Sequence, residues 1–346
     1  MPGMDELFMQ RCLDLALAGA GSVAPNPMVG CVIVHENTII GEGFHAKFGG
    51  PHAEVVAINS VPPEKKHLLP SSTLYVNLEP CSHHGKTPPC ADLIIAEKIP
   101  SVVIGSVDPN PLVGGSGIEK LQDAGCRLQV GISEAACKNL NKRFFTFIEK
   151  KRPYVILKWA QTINGFIAPP DRSRIMISNE YSQLLAHKWR SEEAAIMVGT
   201  ETALHDNPRL DARLWNGRNP VRVVIDKSLR LSKNLHLFDH TIPTIVFTRT
   251  PVESKVNLEY ISIDFKGNII EQVLGHLYQR QIQSVMIEGG AALLQSFIES
   301  RYWDEARIFT SPRLFKSGIA APKLSGTTIS KEFIHTDELI VVENSL

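Results

Sequence analysis

Apolar positions in the first 130 residues switch between two periods. Residues 5–20 repeat every three to four positions behind the acidic pair Asp5 and Glu6, which predicts an opening helix. Residues 30–34 and 38–41 are short apolar runs joined by His35, Glu36 and Asn37, a predicted strand pair. A second helix is predicted to open at Pro51 and His52, with His52 and Glu54 in its first turn. Residues 73–76 form a short strand that delivers Pro80 and Cys81. A helix over 91–98, a strand over 101–105, a helix over 117–124 and a strand over 127–130 follow. Strands interleaved with helices predict an α/β fold, a sheet with helices packed on it.

The pattern restarts near residue 149. An amphipathic stretch over 139–148 runs into Glu149, Lys150, Lys151, Arg152 and Pro153, after which a new strand begins at Tyr154. This break predicts two domains, 1–148 and 149–346, in keeping with 346 residues at roughly 150 per domain. Further apolar strands are predicted at 223–226 and 284–287, the latter running into Glu288, Gly289 and Gly290. Glycines there let the backbone approach a pyrophosphate at a helix N-terminus. No GxGxxG occurs in this half, so a nicotinamide cofactor would have to bind without the Rossmann fingerprint. Gly114, Gly115, Ser116 and Gly117 lack the Lys-Ser/Thr of a phosphate loop and read as a flexible turn before a helix.

Composition narrows the class. With 43% hydrophobic residues the chain can bury sizeable cores. Lys+Arg and Asp+Glu are equal at 36 each, where a nucleic-acid binder is more often basic. No apolar run approaches the ~20 residues of a membrane span, and the first residues do not read as a secretory signal. A cytoplasmic protein with neither nucleic-acid nor membrane partner is expected. Six cysteines then read as two ligands, Cys81 and Cys90, and four bystanders, Cys12, Cys31, Cys126 and Cys137.

The chemistry concentrates in His52-Ala53-Glu54, Pro80-Cys81 and Cys90. One imidazole and two thiols suit a tetrahedral zinc ion with one open position, the mark of a catalytic site. Zinc lowers the pKa of a bound water from 15.7 to about 7, and a nearby carboxylate, here Glu54, can shuttle protons from water to a leaving amine. A His-x-Glu followed by Pro-Cys and a further Cys is the pattern of the zinc deaminases. Their two cysteines are usually separated by two residues, whereas eight intervene here. Taken singly the features are bland: His-x-Glu is common, and free Cys often fills cores.

The ten-residue stretch from Cys81 to Cys90, preceded by Asn77, Leu78, Glu79 and Pro80, resembles the bifunctional riboflavin-biosynthesis deaminase/reductase family. Residues 25–31 and 108–111 match it too, and the likeness continues through the second half. The resemblance implies a cytidine-deaminase-like αβα domain followed by a dihydrofolate-reductase-like α/β domain. It implies zinc and NADPH as cofactors, a pyrimidine ribosyl phosphate as substrate, and a homo-oligomer, dimer or tetramer, built on the reductase half. Asn26 lies where the family holds the pyrimidine, and His83, Lys86, Asp108 and Asn110 lie near the ring and its ribosyl phosphate. The competing reading of these loops is turn chemistry, since Asn26 and Asn110 each precede a proline.

In the second half Lys158 is expected to be the polar group nearest the hydride-accepting carbon. The resemblance implies substrate contacts at Arg174, Arg190, Leu210, Arg213 and Glu288, and cofactor contacts at Ala160, Met176, Thr202, Asp206, Lys227 and Gly290. Two departures stand out: Asn164 replaces the family's usual Asp, and Met176 its usual Trp. The implied reaction is hydrolytic removal of an amino group from the ring, then reduction of the ribosyl carbonyl to a ribityl chain. Two rivals remain at this stage. One is a nucleic-acid-editing deaminase, the other a working deaminase joined to a degenerate, structural reductase-like domain.

Overall fold

The computed structural model, which describes residues 3–82, 88–111 and 113–345, divides the chain into two units, Met1–Lys150 and Lys151–Leu346. In the first unit the sheet contains β1 (Gly30–His35), β2 (Thr38–Phe44), β3 (Thr73–Val76), β4 (Ser101–Ile104) and β5 (Arg127–Val130). Their order is β2-β1-β3-β4-β5, with β1 antiparallel to both neighbours and β3, β4 and β5 parallel. Helices α1 (Met4–Leu17), α2 (Ala53–Ser60), α3 (Cys90–Ala96), α4 (Ser116–Asp123), α5 (Glu134–Leu140) and α6 (Lys142–Glu149) complete the unit.

Alternation along the strands explains the layers. Cys31 and Ile33 of β1 join Ala57 and Ile58 of α2, Ile94 of α3 and Leu121 of α4 in one core. Val32 and Val34 join Phe8, Met9, Cys12 and Leu13 of α1 and Cys137 of α5 in the other. Burial on both faces is why these strands read as unbroken apolar runs. The parallel strands β3 and β4 end side by side, and the loops leaving those ends carry Cys81 and Asp108. Ligand sites of α/β sheets form outside the carboxyl ends of strands.

The second unit is built on a nine-stranded sheet of order β11-β10-β9-β8-β12-β6-β13-β16-β15. These strands are β6 (Tyr154–Thr162), β8 (Ala195–Gly199), β9 (Val221–Ile225), β10 (Thr244–Thr248), β11 (Leu258–Ser262), β12 (Ser284–Ile287), β13 (Glu305–Ser311), β15 (Thr327–Ile334) and β16 (Asp337–Glu343). All run in one direction except β16, which is antiparallel to β13 and forms an edge hairpin with β15. The short β7 (Phe166–Ala168) and β14 (Ile319–Ala320) pair separately. Helices α9 (Ile269–Gln279) and α10 (Ala291–Glu299) bury Val273, Leu274, Leu277, Leu294 and Phe297 on one face. Trp189 of α7 (Glu180–Glu192) and Ala203 of α8 (Thr200–Asp206) pack on the other.

The structure corrects several predicted boundaries. The first helix stops at Leu17, where Ala18 caps a turn. His52 is the N-cap of α2, with extended φ −73° and ψ 160°, so it stands just outside the helix predicted to carry it. Cys90 is the first residue of α3 instead of its precursor. The strand begun at Tyr154 continues to Thr162. The 3-10 segment Pro63–Ser71 and the strands β10, β11 and β13–β16 had no counterpart in the sequence prediction.

Candidate active sites

The first site gathers at the carboxyl ends of β3 and β4 and the start of α2. His52 Nδ1 lies 3.5 Å from Cys81 Sγ and 3.3 Å from Cys90 Sγ, and all three donor atoms lie within 4.8 Å of one another. Tetrahedral zinc bonds of about 2.05 Å to N and 2.3 Å to S would separate such atoms by about 3.6 Å. The donor set also asks for positive charge. Hydrogen bonding with Cys90 and His52 pulls the Cys81 thiol down to about 4, while sharing a proton with Cys81, and burial, push Cys90 up. The first backbone N–H of α3, from Cys90, donates to Cys81 Sγ at 3.3 Å. A helix start therefore favours the Cys81 thiolate, not one on its own cysteine. These residues fit a zinc ion.

Glu54, in the first turn of α2, is 3% exposed, and burial pushes it up to about 7. It lines a cavity of about 320 Å³ together with Asn26, His52, Cys81, Asp108 and Asn110. His83 and Lys86 lie outside the described residues.

Two groups absent from the sequence prediction hold this cavity's walls. His45 is buried, with Nδ1 2.8 Å from the Pro51 carbonyl oxygen and Nε2 3.0 Å from Asn26 Nδ2. A carbonyl can only accept, so Nδ1 carries the proton and Nε2 accepts from the Asn26 amide. That leaves Asn26 Oδ1 as an acceptor for a ligand. Burial lowers the His45 pKa and keeps the ring neutral. A histidine one residue past a strand end has no motif around it to mark it. The second group is the buried carboxylate of Glu79, which receives backbone N–H groups from Asp108, Gly115, Gly117 and Ile118. The predicted flexible turn at 114–117 is thus anchored, and Gly115 caps α4 with φ +88°.

The second site is a cavity of about 420 Å³. It is lined by seven of the predicted positions, Lys158, Ala160, Met176, Thr202, Asp206, Glu288 and Gly290, drawn from β6, the loop before α7, α8 and the end of β12. Gly290 has φ +81° at the N-cap of the nine-residue α10. A Cβ on Gly289 would stand 2.8 Å from Thr202 Cγ2, and one on Gly290 3.1 Å from Thr202 Oγ1. Bare backbone at a helix start beside a hydroxyl is a cradle for phosphate, so these residues fit a dinucleotide.

Beside it lies a buried charge cluster. Arg190 Nε and Nη2 donate to the two Glu288 oxygens at 2.7 and 2.5 Å, and Nη1 donates to the Asp211 carbonyl at 3.1 Å. Burial pushes the Glu288 carboxyl up, but Arg190 and then Lys158 pull harder and bring it down to about 2. Burial in turn lowers Lys158. The Arg190 fork is therefore directed at Glu288. Arg213 is half exposed and bonds Asp211. Leu210, at φ +50°, is 2% exposed and packs in the sheet's core. Burial pushes the Asp206 carboxyl up, and the Arg174 charge offsets only part of that rise. Lys227 is exposed, with Nζ 5.6 Å from the Phe265 ring centre.

A three-layer unit that clusters one His and two Cys beside a cavity with a buried Glu is a zinc-binding deaminase domain, and the unit that follows is a reductase domain. The cytidine and deoxycytidylate deaminase zinc-binding region matches residues 2–106, and the RibD C-terminal domain matches residues 153–332. The riboflavin biosynthesis protein RibD of Aquifex aeolicus is 37% identical over 333 residues, 95% of this chain and 92% of that one. RibD of Escherichia coli is 33% identical over 332 residues, 90% and 89% of the two chains. A diaminohydroxyphosphoribosylaminopyrimidine deaminase/5-amino-6-(5-phosphoribosylamino)uracil reductase from Thermotoga maritima superposes with a TM-score of 0.91 at 39% identity, covering 99% of each chain. The chain belongs to the RibD family of riboflavin biosynthesis proteins. It is a bifunctional enzyme, deaminase and reductase, with zinc and NADPH as cofactors. Among the described residues no helix is long and apolar enough to cross a membrane.

Proposed function

We propose that this chain takes 2,5-diamino-6-(5-phosphoribosylamino)pyrimidin-4(3H)-one, removes one ring amino group by hydrolysis in residues 1–150, and reduces the ribosyl group to ribityl with NADPH in residues 151–346. The observation that carries the reading is the His52, Cys81, Cys90 cluster, with His52, Cys81 and buried Glu54 lining one cavity. Zinc held by these three residues supplies the Lewis acidity that makes water nucleophilic near neutral pH. Glu54 then takes a proton from the attacking water and returns it to the leaving amine. A carboxyl whose burial brings it near neutrality can do both, whereas an exposed one would hold its proton too weakly. Asn26, turned by His45, offers Oδ1 to an N–H edge of the ring. His83, Lys86, Asp108 and Asn110 contact the substrate near its ring and ribosyl phosphate.

In the second unit Lys158 is the polar group nearest the carbon that accepts hydride, and Glu288 contacts the substrate beside it. Arg190, which also holds Glu288, and Arg213 are the cations for the substrate phosphate, with Arg174 a further substrate contact, since Arg forks match phosphate oxygens. Leu210 contacts the substrate through its backbone. Thr202, Asp206, Gly290, Ala160, Met176 and Lys227 hold the cofactor. A homo-oligomer, dimer or tetramer, is supported by β15 at the sheet edge, where Ile329 and Phe333 are 50% and 70% exposed. Six free cysteines suit the cytoplasm.

The test is one tube containing zinc-loaded protein, the diaminopyrimidinone ribosyl phosphate and NADPH. Ammonia release with stoichiometric NADPH oxidation is the expected result. Ammonia without NADPH loss would leave a deaminase with a silent second unit, and neither signal would reject the substrate.

A further inference from the structure

Glu79 stands two residues before the Cys81 ligand and is 6% exposed. A buried carboxylate so placed could serve the metal, yet its oxygens are committed elsewhere. Oε2 accepts from the backbone N–H of Asp108 at 3.2 Å and of Gly115 at 2.9 Å. Oε1 accepts from Gly117 at 2.9 Å and Ile118 at 3.3 Å. Its own N–H donates to the Ser106 carbonyl at 2.9 Å. One side chain thus joins the turn carrying Cys81, the residues just past β4 and the start of α4. The fit is close, since a Cβ on Gly117 would lie 2.0 Å from the Pro80 carbonyl oxygen. The held segment is stiffened from within. Asn110 N–H donates to Asp108 Oδ1 at 2.8 Å, and the Asn110 carbonyl accepts from Val113 and Gly114 at 2.9 and 2.7 Å. Asp108, Asn110 and Val113 line the same cavity as Asn26, and Glu79 lines it with them.

We propose that Glu79 is a positioning residue of the deaminase: its carboxylate fixes the Asp108–Asn110 wall against the Cys81 turn, and so sets substrate affinity without touching the reacting atoms. This rests on the deaminase reading given above. A carboxylate suits the task because it offers only acceptors to four N–H donors, while Gln would turn an N–H₂ toward two of them. A wall that holds parts of the substrate remote from the reacting atoms contributes equally to ground-state and transition-state binding, so loosening it raises KM and leaves kcat nearly unchanged.

The experiment compares wild type with Glu79→Gln and Glu79→Asp as zinc-loaded full chains. It follows ammonia release from the diaminopyrimidinone ribosyl phosphate, zinc content, NADPH oxidation on the deaminated intermediate, and amide exchange at Gly115 and Gly117. In Glu79→Gln, KM for deamination should rise about tenfold or more with kcat within about threefold, one zinc retained and reduction unchanged. The two amides should exchange about tenfold faster or more. Glu79→Asp, which keeps both acceptors on a shorter stem, should recover part of each change. Unchanged KM, a fall in kcat alone, or loss of zinc would each overturn the proposal. So would a failure of both variants to fold, which would assign Glu79 to stability only. If wild type releases no ammonia, the substrate reading fails by itself, and the amide exchange still judges the hold on the wall.

Discussion

Glu54 gains its role from where α2 begins. His52 caps the helix from outside, and Glu54 follows in the first turn, buried beside the same sulfurs. Replacing it with Gln keeps the shape and removes the proton shuttle. Ammonia release by Glu54→Gln should fall about 10²–10⁴-fold with zinc still bound, and near-normal release would remove Glu54 from the mechanism. Asn164 shows a residue departing from its family for a structural reason. Its Nδ2 donates to the Phe315 carbonyl at 2.7 Å, and its Oδ1 accepts from Thr162 Oγ1 at 2.8 Å and Phe315 N–H at 3.3 Å. An Asp cannot supply that donor. Asn164→Asp should therefore cost about 1 kcal/mol, read as a lower denaturant midpoint, and equal stability would show that the contact is idle. The cluster of His52, Cys81 and Cys90 was legible because few residue types bind zinc and their spacing is short. His45 and Glu79 were not, because each acts on groups that only the folded chain brings near: Asn26 is 19 residues from His45, and Gly117 is 38 from Glu79.

Among the elements, the apolar strands buried on both faces were readable from pattern alone, as β1, β3 and β12 show. Strand β13 was hidden by its own charges. Glu305 and Arg307 are buried and bonded to each other at 2.6 Å, so a central strand reads as a polar segment. The outer strand β15 fails for the opposite reason: it is exposed nearly throughout and has no buried face to impose alternation. The Arg190–Glu288 contact joins α7 to the end of β12 across 98 residues. Arg190→Met leaves a buried carboxylate without its partner and should cost about 3–5 kcal/mol in chemical denaturation. The pH dependence follows from the carboxyl held at about 2, below an unfolded value of about 4.3. Stability from a depressed carboxyl is complete above the unfolded pKa and is lost as pH falls toward the folded one. The gap between wild type and Arg190→Met should therefore be widest at pH 5 and above and shrink toward pH 2. A gap that widens in acid would contradict this account of the pair.

At the scale of the whole molecule, each unit has its own cores and its own cavity. Among the described residues, the group of side chains that could hold a metal ion, His52, Cys81 and Cys90, lies in the first. Stripping zinc with a chelator should abolish ammonia release yet leave NADPH oxidation on added deaminated intermediate unchanged, and zinc alone should restore the first activity. A parallel loss of reduction would show that the second cavity depends on the metal. The division into two units near residue 150 also has a consequence in the economy of the cell. Two catalysts made as one polypeptide are always made in equal number. However strongly the message is translated, neither step can outgrow the other by dosage. Any build-up of the intermediate must then trace to the turnover of the sites themselves, or to shortage of zinc or reducing equivalents.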